Sequence, residues 1–117
     1  MSRVTRGFKA RRRRNKVLKM AKGYRGGKHR LYRTVTEAVD RALCFAYRDR
    51  RTNKRNFRGL WITRIAAAAK MNGTSYSRLI NGMKKADIDL DRKVLSNLAI
   101  VDPKAFSEVV KAAGVSS

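Results

Sequence analysis

AYRDRRTNKRNFRGLWITRI, residues 46–65, contains no proline and a single glycine, Gly59, and so reads as continuous helix. Residues 48–56 within it carry no apolar side chain at all. A helix that is polar all round has no protein to lean on there and must cross solvent or a polar partner. Arg48, Arg50, Arg51, Lys54, Arg55 and Arg58 stand against one acid, Asp49, so that partner is polyanionic. At Leu60, Trp61 and Ile65 the pattern turns apolar again, and the same helix is expected to enter a protein core. The stretch joins a basic arm to a small globular end.

Charge divides the chain at the same place. Residues 1–58 hold 21 Lys/Arg against 3 acids, a net +18, whereas residues 59–117 hold 9 against 5, a net +4. Two segments are expected: 1–58 as a basic helical arm that binds polyanion, and 59–117 as a small all-α globular domain. Self-repulsion at +18 is expected to keep the arm largely unfolded until counter-charge arrives. The lone Cys44 excludes an internal disulfide and suits a reducing compartment. Lying among Leu43, Phe45 and Ala46, it is expected to be a small buried hydrophobe. No apolar run approaches the length of a membrane span, and no signal-peptide core follows Met1, so the basic N-terminus reads as mature protein.

Outward from the central stretch, residues 1–7 form a basic tail with Arg3 and Arg6. Residues 8–22 are helix-compatible and carry Lys9, Arg11, Arg12, Arg13, Arg14, Lys16, Lys19 and Lys22. Four consecutive arginines point nearly all the way round a helix. A membrane surface or a single groove needs only a one-sided stripe, so charge on every side suits a segment enclosed by folded RNA. Residues 23–29, GYRGGKH, break the helix and add Tyr24, Arg25 and Lys28. They fail as a P-loop because His29 stands where Ser/Thr should hold magnesium and no strand precedes them. Residues 23–26 match the GXXG of KH domains but lack that fold's sheet, which leaves an elbow between two basic helices. Arg30 and Arg33 follow, and a long helix is predicted from Leu31 to Lys70 or Met71. Its amphipathic portion, 31–47, presents Leu31, Val35, Ala38, Val39, Ala42 and Ala46 on one side, to pack on the preceding arm or on a neighbouring protein.

Beyond Asn72-Gly73 three short helices are predicted. The first, 75–86, offers Leu79, Ile80 and Met83 to a core. The second takes Asp91 as N-cap, has Leu90 and Leu95 as a hydrophobic staple, and contributes Val94, Leu95, Leu98 and Ala99. The third takes Asp102 as cap and Pro103 at its first position. Val101 and Phe106 form its staple, Phe106, Val109 and Val110 face inward, and Gly114 ends it. Trp61 is expected in this core.

Catalysis finds no support: His29, the one histidine, has no cysteine or acid grouped with it. Asp87, Asp89 and Asp91 resemble the start of an EF-hand loop, yet Arg92 replaces its glycine and Leu98 its closing glutamate, so no metal is expected. No cofactor or small-molecule substrate is implied. The excess of one sign lacks the interspersed acids of an ordinary solvated face, and Phe8, Tyr24, Tyr32, Tyr47 and Phe57 lie among the cations, available to stack on bases or to pack. A basic nucleoid-type DNA-binding protein is the alternative reading, but no helix-turn-helix, zipper or zinc-finger pattern appears.

The runs AKGYRG (21–26), LYR (31–33), AYRDRR (46–51), KRNFRGLWITRI (54–65), SYSRLI (75–80) and LDRKVLSNLAI (90–100) resemble the bacterial-type large-subunit ribosomal proteins of the L-twenty family. The resemblance covers residues 3 to about 110. It implies an all-α fold, a long basic helical N-terminal arm continuing into a small C-terminal helical domain. It also implies large-subunit ribosomal RNA and neighbouring ribosomal proteins as partners, a role in early subunit assembly, and a ribosomal location, cytoplasmic or organellar. Some members repress translation of their own messenger RNA through the globular domain. In the family, the tract matching 48–58 and the arm before it contact RNA, and Arg64 completes the set expected here. Ala66 stands where the family usually has Asn, which removes a side chain able to make a polar contact there.

Overall fold

A computed structural model describes residues 2–115, and among these every regular element is helical. The chain divides into two compact units, Met1–Arg51 and Thr52–Ser117. The division falls inside the stretch 48–56, where no apolar side chain exists to build tertiary contact.

In the first unit α1 spans Lys9–Met20 and has no buried residue, as its four consecutive arginines require. A glycine-rich turn follows. Gly23 and Gly26 take φ of 91° and 64°, and a single 3₁₀ turn, Gly26–His29, leads into α2, Tyr32–Met71. Ala21, Val35 and Val39 form a small core, with Val17, Leu18 and Tyr24 packed against it. The amphipathic start of α2 therefore packs on the preceding basic helix. Cys44 is exposed rather than buried, because the apolar stripe of α2 narrows to alanines after Val39 and nothing covers the Cys44 side.

The second unit is built on the last turns of α2. Gly73, at φ 78°, ends that helix: its N–H donates to the Lys70 carbonyl and the Thr74 N–H to that of Ala69. Helices α3 (Tyr76–Lys85), α4 (Arg92–Val101) and α5 (Pro103–Ala112) follow. Each begins on a side-chain cap, and those of α4 and α5 are the expected ones. Ser75 Oγ accepts from the Arg78 N–H at 3.4 Å, Asp91 Oδ1 from Val94 at 2.8 Å and Asp102 Oδ1 from Ala105 at 3.1 Å. Two of the acids that imitate an EF-hand serve local structure: Asp91 caps α4, and Asp87 takes φ 56° to close α3. Ile65, Ala69, Leu79, Met83, Leu95, Phe106, Val110 and Ala113 form the core. Two polar ties brace it, Arg92 Nε donating to Tyr76 Oη at 2.7 Å and Ser107 Oγ to Asn72 Oδ1 at 2.8 Å.

Several expected core residues lie elsewhere. The core takes only the turns of α2 from Ile65 onward; Leu60 stays exposed, and Trp61 is partly buried outside the core. Val94 is 47% and Val101 74% exposed, so the Val101–Phe106 staple does not close. Asp102 takes an extended φ of −138° between α4 and α5, and Phe106 is buried by other helices.

Candidate nucleic-acid interface

In the first unit the predicted cations lie outside the small apolar core. Arg3 and Arg6 precede α1; Lys9, Arg11, Arg12, Arg13, Arg14, Lys16 and Lys19 lie on it. Lys22, Arg25, Lys28 and Arg30 surround the glycine turn, and Arg33, Arg48, Arg50 and Arg51 lie on α2. Every one is exposed, whereas Tyr24 packs partly buried against the core. Asp49 approaches Arg48 at 3.8 Å with both side chains mostly in solvent, a pairing too loose to neutralise the surface. Arg41 was not singled out by the sequence pattern, yet it is an exposed cation of the same helix. Its spacing of seven from Arg48 puts the two on one face and could have revealed it.

The aromatic residues of this unit are largely committed. Arg12 lies 4.0 Å over the Phe8 ring, Arg14 5.4 Å over Tyr32, Arg48 4.4 Å over Phe45 and Arg51 3.8 Å over Tyr47. Each of these contacts places a guanidinium over one face of its ring.

In the second unit Lys54, Arg55, Arg58 and Arg64 are exposed on α2. Lys54 and Arg58 share a cleft with Asn53, Phe57, Trp61 and Lys93. Sequence reasoning had no route to Lys93, because only tertiary packing brings the start of α4 beside this part of α2. Among the described residues no group of His, Cys, Asp and Glu could hold a metal ion, and no helix is long and apolar enough to cross a membrane.

A small all-α protein with a dense, one-signed cationic surface is the class these features define. Residues 3–109 match the family model of ribosomal protein L20. The chain is 65% identical over 113 residues to the large ribosomal subunit protein bL20 of Geobacter metallireducens, covering 97% of each chain. Against the bL20 of Desulfotalea psychrophila identity is 69% over 109 residues, covering 93% of this chain and 92% of the relative. Against that of Pelobacter propionicus it is 64% over 116 residues, covering 99% of both. The chain belongs to the ribosomal protein L20 family, and its role is structural, in the large ribosomal subunit, rather than enzymatic.

Proposed function

We propose that this protein binds large-subunit ribosomal RNA and acts in early assembly of the subunit. The observation that carries the proposal is the exposure of the whole cationic set in the first unit, with almost no acid to oppose it. Placed among RNA helices, these residues displace condensed counterions and lower the repulsion between neighbouring backbones. Phosphate contacts fix position and carry little sequence information. Selectivity then falls to the capped helical unit, whose fixed surface can match the shape of a junction or minor groove. The functional division runs between 1–58, which supplies charge, and 59–117, which supplies address. Repression of its own message would reuse that second surface on another RNA.

The test uses the full chain with Arg11, Arg12, Arg13 and Arg14 each changed to Gln. If all four contact phosphate, the log–log slope of affinity against salt flattens by about three, at roughly 0.7–0.9 per contact. Preference for its own ribosomal RNA over unrelated structured RNA should survive the change. An unaltered slope would remove α1 from the interface. Equal affinity of the wild type for duplex DNA and ribosomal RNA at matched salt would favour the nucleoid-type alternative.

A further inference from the structure

Phe57 and Trp61 lie one turn apart on α2, their ring centroids 6.3 Å apart and their planes tilted by 38°. With Asn53, Lys54, Arg58 and Lys93 they line an open cleft of about 550 Å³. Neither ring belongs to the core of this unit, and Phe57 is 47% exposed. Among the described residues, the rings of Phe8, Tyr32, Phe45 and Tyr47 each carry an arginine over one face, whereas Phe57 and Trp61 pair with each other. Three cations and no acid line the cleft. Asp91, which borders a neighbouring depression on Trp61, is held by its cap to the Val94 N–H.

Flat aromatic walls with a cationic rim complement a planar base attached to a charged backbone. Every base has a π-face, so an aromatic platform takes an unpaired nucleotide, while a base inside a duplex cannot enter. An apolar protein side chain would find contact here but would leave the three cations without counter-charge. We propose that the cleft takes an unpaired, extruded nucleobase of RNA, stacked on Trp61 and flanked by Phe57. Lys54, Arg58 and Lys93 hold its neighbouring phosphates. This rests on the RNA-binding reading above and adds a base-stacking site to it.

Trp61 is the single tryptophan, so its emission reports on the cleft directly. The full chain is titrated with purified large-subunit ribosomal RNA and, separately, with a blunt, fully paired RNA duplex at matched salt. Ribosomal RNA should quench the emission and the duplex should leave it largely unchanged. Trp61→Leu should weaken affinity for ribosomal RNA by roughly 5- to 150-fold, the range of one base–aromatic stack, with the salt slope unaltered. Trp61→Phe should recover most of that loss, and both variants should melt close to the wild type. Wild-type affinity for ribosomal RNA without quenching, or equal quenching by the duplex, overturns the stacking site while leaving RNA binding intact. So does a Trp61→Leu protein that binds naked RNA normally but is depleted from assembled subunits, which assigns the cleft to a neighbouring protein. A steep fall in melting temperature for both variants makes Trp61 a fold residue and also overturns it. Failure of the wild type to prefer ribosomal RNA over duplex DNA removes both readings at once.

Discussion

Gly82 sits buried in α3 at a position where a helix would ordinarily gain from alanine. Replacing an interior helical glycine by alanine stabilises by roughly 0.5–1 kcal/mol, because the unfolded chain loses backbone freedom. At Gly82 the added Cβ would lie 2.7 Å from the Ala113 carbonyl oxygen, 2.8 Å from Val115 Cγ1 and 3.4 Å from Ala113 Cβ. The Val115 methyl is a side chain near the end of the described residues and can yield. The carbonyl is backbone, held where α5 ends by the Ala113 N–H donating to Val109 O at 2.9 Å. Relieving the contact requires α5 to move away from α3 and loosen the packing around Val110 and Met83. Overpacking of this kind costs about 1–3 kcal/mol, and a backbone obstacle places it in the upper part of that range. Set against the propensity gain, Gly82→Ala should destabilise by about 1–2 kcal/mol. For a unit of this size that lowers the melting temperature by roughly 5–15 °C. Gly59 is the control: it too lies within a helix, but its Cβ would meet nothing within 4 Å. Gly59→Ala should therefore raise stability by about 0.5–1 kcal/mol. Thermal melts of both full-length variants by far-UV circular dichroism make the comparison. A Gly82→Ala protein that melts at or above the wild type would refute the close approach of α3 and the end of α5.

Asp102→Ala should cost about 0.5–2 kcal/mol by leaving the first-turn N–H of Ala105 without its acceptor. Val101→Ala, one residue earlier, should change the denaturation midpoint little, since that side chain is 74% exposed; a large loss there would restore the staple. Amides across residues 48–58 should exchange faster than those of Ile65 and Ala69 in the free protein, and slow when ribosomal RNA is added. Equal protection of the two stretches without RNA would show that the polar stretch has tertiary support of its own.

Local chemistry was legible in the sequence, and burial only in part: Leu79, Met83, Leu95, Phe106 and Val110 lie in the core as expected. Asp91 and Asp102 cap the helices they announce because a cap is decided by one side chain and an N–H a few residues away. The glycine at 73 stops α2 for an equally local reason. Trp61, Val94, Val101 and Cys44 went the other way. Helical periodicity gives the direction in which a side chain points, but how far the neighbouring helices extend decides whether anything meets it. The core begins at Ile65, one turn beyond Trp61, and that limit is set by the short lengths of α3 to α5. The basic set was read from charge clustering and from the family resemblance, and each of its Lys and Arg side chains is exposed. Arg41 and Lys93 escaped because one stands apart from the clusters and the other reaches its cleft only through the fold.

The central polar stretch works against itself in the absence of a partner. Arg50 and Lys54, Arg51 and Arg55, and Lys54 and Arg58 are each four residues apart on α2, so like charges face one another along the helix. Each such pair destabilises a helix by roughly 0.2–0.5 kcal/mol, about 0.6–1.5 kcal/mol for the three. No apolar residue between positions 48 and 56 offsets the repulsion through burial. Neutral residues with better helix propensity would make a more stable free helix. The arrangement is comprehensible only if the state that matters contains counter-charge. If RNA binds as proposed, phosphates lying along the helix would remove the repulsion and add favourable contacts with the same side chains, so the instability of the free stretch would become part of the free energy of binding. Under the proposed RNA binding, a charge pattern that weakens the helix in the isolated chain would be relieved in the bound state, and the segment would gain stability on joining the RNA.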